Sequence, residues 1–206
     1  MILFQCDYNE GAHPRIMERM METNLEQSPG YGEDVHCRRA AQLICKACGN
    51  DRLAVHFLVG GTQANMTVID AALRSHQGVI SAGSGHINVH ETGAVESLGH
   101  KVLAVPHKDG KLTAAQVEEL YQSHIHDSSF EHMVQPKMVY ISNPTEYGTL
   151  YSRKELEELS RVCRNMICIC LWMEPGLVMG WLRLIMNWIS LFWQSIVMSF
   201  ISEELR

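Results

Sequence analysis

The residues with the most chemical capacity gather in three short stretches. The first is Val59-Gly60-Gly61-Thr62-Gln63-Ala64-Asn65, which follows the apolar run Leu53–Leu58 and leads into a helix-like segment from Met66 to Leu73. A strand entering a helix through a glycine-rich turn can hold a phosphate. Glycine lets the backbone approach the anion, the first-turn N–H groups are free to donate, and the helix dipole adds positive potential. Thr62 and Gln63 add side-chain donors. The same residues also suit an ordinary tight strand-to-helix turn. The second stretch, Ala82–Ala94, carries His86, His90 and Glu91, and the third is the polar loop Ser142–Gly148.

These stretches need elements to position them. His13-Pro14 predicts a helix start running to about Thr23, with proline suited to the first turn. Gln27–Asp34 is dense in turn formers, and Val35–Ala47 reads as a second helix. Short apolar runs at Leu53–Leu58, Gly78–Ser81, Lys101–Val105 and Lys137–Ile141 read as strands. Thr113-Ala114-Ala115-Gln116 and Ser152-Arg153-Lys154-Glu155 are capping boxes that open helices reaching about Ser123 and Cys163. Strands alternating with helices imply an α/β fold, a three-layer sandwich with a mainly parallel sheet. In such folds ligands sit at the carboxyl ends of the strands, where Gly60–Gln63, Ala82–His86 and Ser142–Glu146 fall together.

Composition narrows the classes. The 206 residues suffice for one domain with a core, and a formal net charge of −6 argues against a nucleic-acid partner. Seven cysteines, with no secretory signal in Met1–Glu10, read as reduced thiols of a cytoplasmic protein. Cys45 and Cys48 have a ligand-like spacing but no second pair, so no metal site is expected.

Five motifs in order carry a family resemblance: Asp7–Pro14, Pro29–Asp34, Gly60–Asn65, Gly85–Ala94 and Asn143–Thr149. Together they resemble the threonine aldolase/β-eliminating lyase family of pyridoxal-phosphate (PLP) enzymes, which have the aspartate-aminotransferase fold. The resemblance covers about residues 2–164. It implies that Gly61, Thr62 and Gln63 cradle the cofactor phosphate, that His86 stacks on the pyridine ring, and that Glu91 lines the pocket. It implies that Tyr31 comes from a loop reaching the active site of a neighbouring subunit in a dimer or tetramer. His132 would match a histidine near the substrate hydroxyl, and Cys6 stands where many relatives have a small hydroxyl residue. The implied activity is retro-aldol cleavage of threonine to glycine and acetaldehyde. The alternative within the family is β-elimination on another amino acid.

The resemblance also implies parts that are not visible. The family carries its pyridine-partner aspartate and substrate arginine in an Asp-Gly-Ala-Arg segment, and its Schiff-base lysine in a Gly-Gly-Thr-Lys segment. Neither occurs here. Residues 165–206 instead form a hydrophobic tail: all 4 tryptophans lie in it, and all 11 histidines lie before it. Leu177–Phe200 has one charge, Arg183, and is long enough to span a bilayer, though no basic cluster flanks it. A non-catalytic α/β protein with a membrane-anchoring tail is therefore one reading.

A reading-frame slip near Asn165 is the other, and it accounts for more. Trp172 and Met173 have single codons, so the last base of one and the first two of the next spell aspartate; Met173 with Glu174 spells glycine. In that frame Asp-Gly-Ala-Arg-Leu-Gly is readable across Trp172–Val178, and Asp-Val-Phe-His-Ile-Gly-Gly-Thr-Lys across Val197–Arg206, with the lysine codon straddling Leu205 and Arg206. The expectation is a truncated family member, residues 1–164 being part of the PLP-binding major domain, with the small C-terminal domain absent and no covalent cofactor attachment or turnover.

Overall fold

The computed structural model describes residues 11–166, 169–174 and 196–200. They fall into two compact units, residues 11–58 and residues 59–174 with 196–200.

The first unit holds α1 (Pro14–Thr23) and α2 (Val35–Ala47), both where the sequence predicts them. His13 caps α1, its Nδ1 accepting the Arg15 N–H at 3.2 Å, and Pro14 fills the first-turn position whose N–H would have no helical partner. Asp34 caps α2 by accepting the Cys37 N–H at 2.8 Å. Hydrogen bonds from Cys37 pull the Asp34 carboxyl down to about 2. Leu53–Leu58, expected as a strand, is irregular and joins no sheet among the described residues. Its apolar character suggests burial, yet Ala54, His56, Phe57 and Leu58 are exposed.

The second unit is built on a parallel sheet with the order β2-β1-β3-β4-β5. Its elements in chain order are α3 (Gly61–Ala72), β1 (Gln77–Ala82), α4 (His86–Val89), α5 (Ala94–Ser97), β2 (Lys101–Val105), α6 (Ala114–Ile125), β3 (Gln135–Ser142), α7 (Arg153–Asn165), β4 (Ile169–Glu174) and β5 (Ile196–Phe200). A parallel sheet is covered on both faces, and the central strands are accordingly continuous apolar runs. Every residue of β1 is buried, as are Met138–Ser142 of β3. Val79, Ile80, Met138, Val139, Leu159 and Leu171 form the centre of the core, all with no exposure.

The helices begin where their chemistry directs. Thr113 and Ser152 complete reciprocal capping boxes with Gln116 and Glu155, so the orphan first-turn donors of α6 and α7 are satisfied locally. Lys111 reaches the same Glu155 at 2.9 Å, linking the start of α7 to the turn after β2. That turn has positive φ at Asp109 and Gly110, +55° and +78°, as a primed two-residue turn requires. A side chain at Gly110 would meet Thr145 at 2.9 Å.

Two strands lie in the stretch read from sequence as an aberrant tail. β4 pairs with β3 from Met138↔Ile169 to Ser142↔Met173, and β5 pairs with β4. The candidate span Leu177–Phe200 falls outside the described residues except for 196–200, which are strand. Among the described residues, no helix is long and apolar enough to cross a membrane.

Candidate functional site

The strand order reverses at β1. The chain passes from β1 to β2 on one side and then to β3 on the other, so the crevice of this sheet opens between the carboxyl ends of β1 and β3. Ligands of open α/β sheets occupy that position. The loop after β1 carries His86 and Glu91, and the loop after β3 carries Glu146.

At α3 the sequence reading is both right and too late. The glycine turn does not precede the helix; Gly61, Thr62 and Gln63 are its first turn. Gly60 is the N-cap, with extended backbone and no side chain to take a first-turn N–H. The Ala64 N–H makes the first helical bond, 3.0 Å to the Gly60 carbonyl. Gln63 folds back so that its Oε1 accepts the Val59 N–H at 3.0 Å. That bond goes to the residue before the N-cap, so it is not the reciprocal capping box of α6 and α7. No side chain caps α3, and the N–H groups of Gly61, Thr62 and Gln63 have no acceptor among the described residues. Thr62 and Gln63 are exposed. A helix start with open donors and the positive end of its dipole suits an anion.

One turn further, about 6 Å along α3, the Asn65 side chain is buried and donates to Glu91 Oε1 at 2.6 Å. His86 Nδ1 lies 2.9 Å from the same oxygen. The Glu91 side chain is 1% exposed, whereas that of His86 is 49% exposed. The His86 backbone N–H donates to Glu146 Oε1 at 2.7 Å, and the Ser142 hydroxyl donates to that oxygen at 2.8 Å. Ser142 Oγ is 3.2 Å from the hydroxyl of the buried Tyr140. Burial raises the Tyr140 pKa well above the usual phenol range, against hydrogen bonds from Ser142 and Asn65 that lower it, so the group stays a neutral phenol.

Gly85 is required at the head of this loop. A Cβ there would sit 2.1 Å from Ser81 Oγ and 3.0 Å from the Ala82 carbonyl. The loop after β3 is held by its own bonds and by the turn after β2, with Thr149 Oγ1 donating to the Asp109 carbonyl at 2.6 Å and the Thr145 N–H donating to the Thr149 carbonyl at 2.9 Å.

The structure links Asn65, one turn inside α3, to Glu91 and His86. Glu91 differs in its part: it is enclosed beneath His86 and holds that ring rather than presenting a free carboxylate to a cavity. His132 does not join them. It ends the short 3₁₀ turn Phe130–His132 before β3, whereas the site follows β3, and eight residues of strand separate the two edges by about 25 Å. Tyr31 lies in the first unit, between α1 and α2, fully exposed with a φ of +61°. Cys6 is outside the described residues. Sequence reasoning put Ser142–Glu146 at this edge of the sheet and Asn65 at the end of the glycine-rich stretch, but gave none of Asn65, Ser142 and Glu146 a role of its own; Tyr140, inside a predicted strand, it missed.

The model of the beta-eliminating lyase family matches residues 5–167. The chain belongs to the beta-eliminating lyase family. It is 31% identical over 167 residues to a low specificity L-threonine aldolase of a Pseudomonas species, and 30% identical over 165 residues to that of Pseudomonas aeruginosa. Each alignment takes in 79% of this chain and 46% of the relative, so the chain spans just under half the length of these relatives. Among solved structures, a Leishmania major threonine aldolase matches with a TM-score of 0.77 and 45% identity, over 81% of this chain and 48% of that one. A Mycobacterium tuberculosis aminotransferase matches at TM-score 0.60 over 81% of this chain and 42% of that one, and at 16% identity it shows the fold alone. The three-layer α/β fold of PLP-dependent transferases is therefore that of this family member.

Proposed function

We propose that the chain is the amino-terminal part of a threonine-aldolase-type lyase and that it binds PLP, without covalent attachment, at the start of α3. The observation that carries this is the uncapped α3 N-terminus linked through Asn65 and Glu91 to His86. The residues present fit the cofactor: open backbone donors suit a phosphate, and a half-exposed imidazole suits the face of an aromatic ring. The relatives named as threonine aldolases support the substrate class.

Within this reading the N–H groups of Gly61, Thr62 and Gln63 bind the phosphate. When bound, the cofactor supplies an electron sink for the carbanion left as a bond at the substrate Cα breaks. Glu91 fixes the His86 ring, and His86 Nε2 is where the proton of a β-hydroxyl would be taken. Tyr31 serves a neighbouring copy in an oligomer, and the protein is cytoplasmic. His132 takes no part in the chemistry.

Residues 165–206 are proposed to derive from a shifted reading frame. The family match ends at residue 167, just past the proposed slip. The lysine, aspartate and arginine of the full reaction are then missing at their usual positions. Purified chain incubated with PLP and threonine should yield no acetaldehyde, and borohydride treatment followed by mass spectrometry should find no cofactor-modified lysine. Turnover, or a specifically modified lysine, contradicts the proposal. The nucleotide sequence decides the frame: it must spell Asp-Gly-Ala-Arg and Gly-Gly-Thr-Lys in the alternative frame, or the slip is disproved.

A further inference from the structure

We infer that Asn65 is a positioning residue for His86, acting through the enclosed carboxylate of Glu91, and that it fixes the His86 ring proton on Nδ1. The inference rests on the reading of His86 as a site residue. It concerns a side chain one turn inside α3, with 1% exposure, that touches neither the open helix start nor solvent.

An ionised Glu91 carboxylate has acceptors only, so a ring nitrogen at 2.9 Å must bring the proton to it. Both donors, Asn65 Nδ2 and His86 Nδ1, meet the same oxygen, Oε1. The other oxygen, Oε2, is buried with no partner among the described residues. A buried carboxylate held at one oxygen depends heavily on each donor it has, because an unpaired buried charge is costly. The 2.6 Å bond from Asn65 is the shorter of the two, and Asn65 lies on a twelve-residue helix. His86 lies on a four-residue helix with its ring half exposed. The rigid partner therefore sets the carboxylate, and the carboxylate sets the imidazole.

The Asn65 amide oxygen, Oδ1, is buried with no hydrogen-bond partner among the described residues, whereas its Nδ2 meets Glu91. On β3 the Ser142 hydroxyl donates to Glu146, and Glu146 in turn takes the His86 backbone N–H. His86 is thus held at its ring by Glu91 and at its backbone by Glu146. The consequence is chemical as well as mechanical. With the proton on Nδ1, the neutral ring carries its lone pair on Nε2, the nitrogen away from Glu91.

The test uses the full chain labelled with ¹⁵N-histidine, without cofactor, with His86 assigned by loss of its signals in His86→Phe. Long-range ¹H–¹⁵N spectra report which ring nitrogen is protonated. The wild type should show His86 with Nδ1 protonated. Asn65→Ala, and Asn65→Leu should the alanine variant not fold, should lose that pattern in favour of the Nε2-protonated form. Glu91→Gln should do the same. A merely structural Asn65 would lower the melting temperature and leave the His86 pattern unchanged, which overturns the inference. A wild-type His86 with its proton on Nε2 overturns it without any variant. Because no PLP is present, failure here leaves the cofactor reading standing, and failure of cofactor binding leaves the spectra unaffected.

Discussion

Gly60 shows how a single position can trade helix stability against binding. Its backbone is extended and an added Cβ would meet nothing within 4 Å, so a capping residue fits there without strain. Gly60→Asp would give α3 the side-chain acceptor that Thr113 and Ser152 give their own helices. It should stabilise the fold by a few tenths of a kcal/mol, readable as an unchanged or slightly higher melting temperature. The same carboxylate would occupy and repel the anion position, so PLP affinity should fall by about tenfold or more, about 1.4 kcal/mol. Gly85 makes the opposite case. Gly85→Ala drives a methyl into Ser81 Oγ and should cost about 1–3 kcal/mol by overpacking, seen as a lower denaturant midpoint with an unchanged slope. The contacts of Asn65 and Glu146 were illegible in the sequence for a plain reason. Their partners stand 26 and 60 positions away, and no local pattern encodes such a contact.

At the scale of elements, α7 was the most legible part of the chain because its signals are local. Ser152 and Glu155 are three residues apart, and each satisfies the other's backbone. Ser152→Ala should destabilise the protein by about 1 kcal/mol, measured by denaturant titration. Burial works against the Glu155 charge, but the Ser152 hydrogen bonds and the Lys111 ion pair outweigh it, so its carboxyl sits below the ordinary glutamate range. A lowered carboxyl contributes stability that is present above its unfolded pKa, about 4.3, and lost as pH falls through the folded value. The gap in melting temperature between wild type and Glu155→Gln should therefore narrow from about pH 7 to about pH 3. A gap that widened on acidification would contradict this assignment. Leu53–Leu58 failed as a strand because an apolar run states only a preference for burial; a strand also needs a neighbour to pair with, and that is decided elsewhere in the chain.

For the whole molecule, the parallel sheet followed from alternating buried runs and capped helices, and the sheet order then placed the crevice between β1 and β3. The sequence could locate the loops at one edge of that sheet without revealing the order, because order depends on which strands pair. β4 and β5 were not anticipated at all. Ile169–Glu174 and Ile196–Phe200 lie in a stretch whose uniform hydrophobicity reads equally as strand, span or mistranslated tail. Their pairing extends the parallel sheet beyond β3. Under the proposed function, a chain that holds PLP at the α3 start without the family's lysine, aspartate and arginine at their usual positions should bind and not turn over.

That combination is tested most directly by equilibrium dialysis of PLP against the purified chain, with pyridoxal, which lacks the phosphate, measured alongside. Saturable PLP binding is predicted, competed by inorganic phosphate, weaker by about tenfold or more for pyridoxal, and weakened similarly by Gly60→Asp. Equal binding of PLP and pyridoxal by the folded wild type, or a Gly60→Asp variant that binds PLP unchanged, would contradict the assignment of the α3 start as a phosphate site.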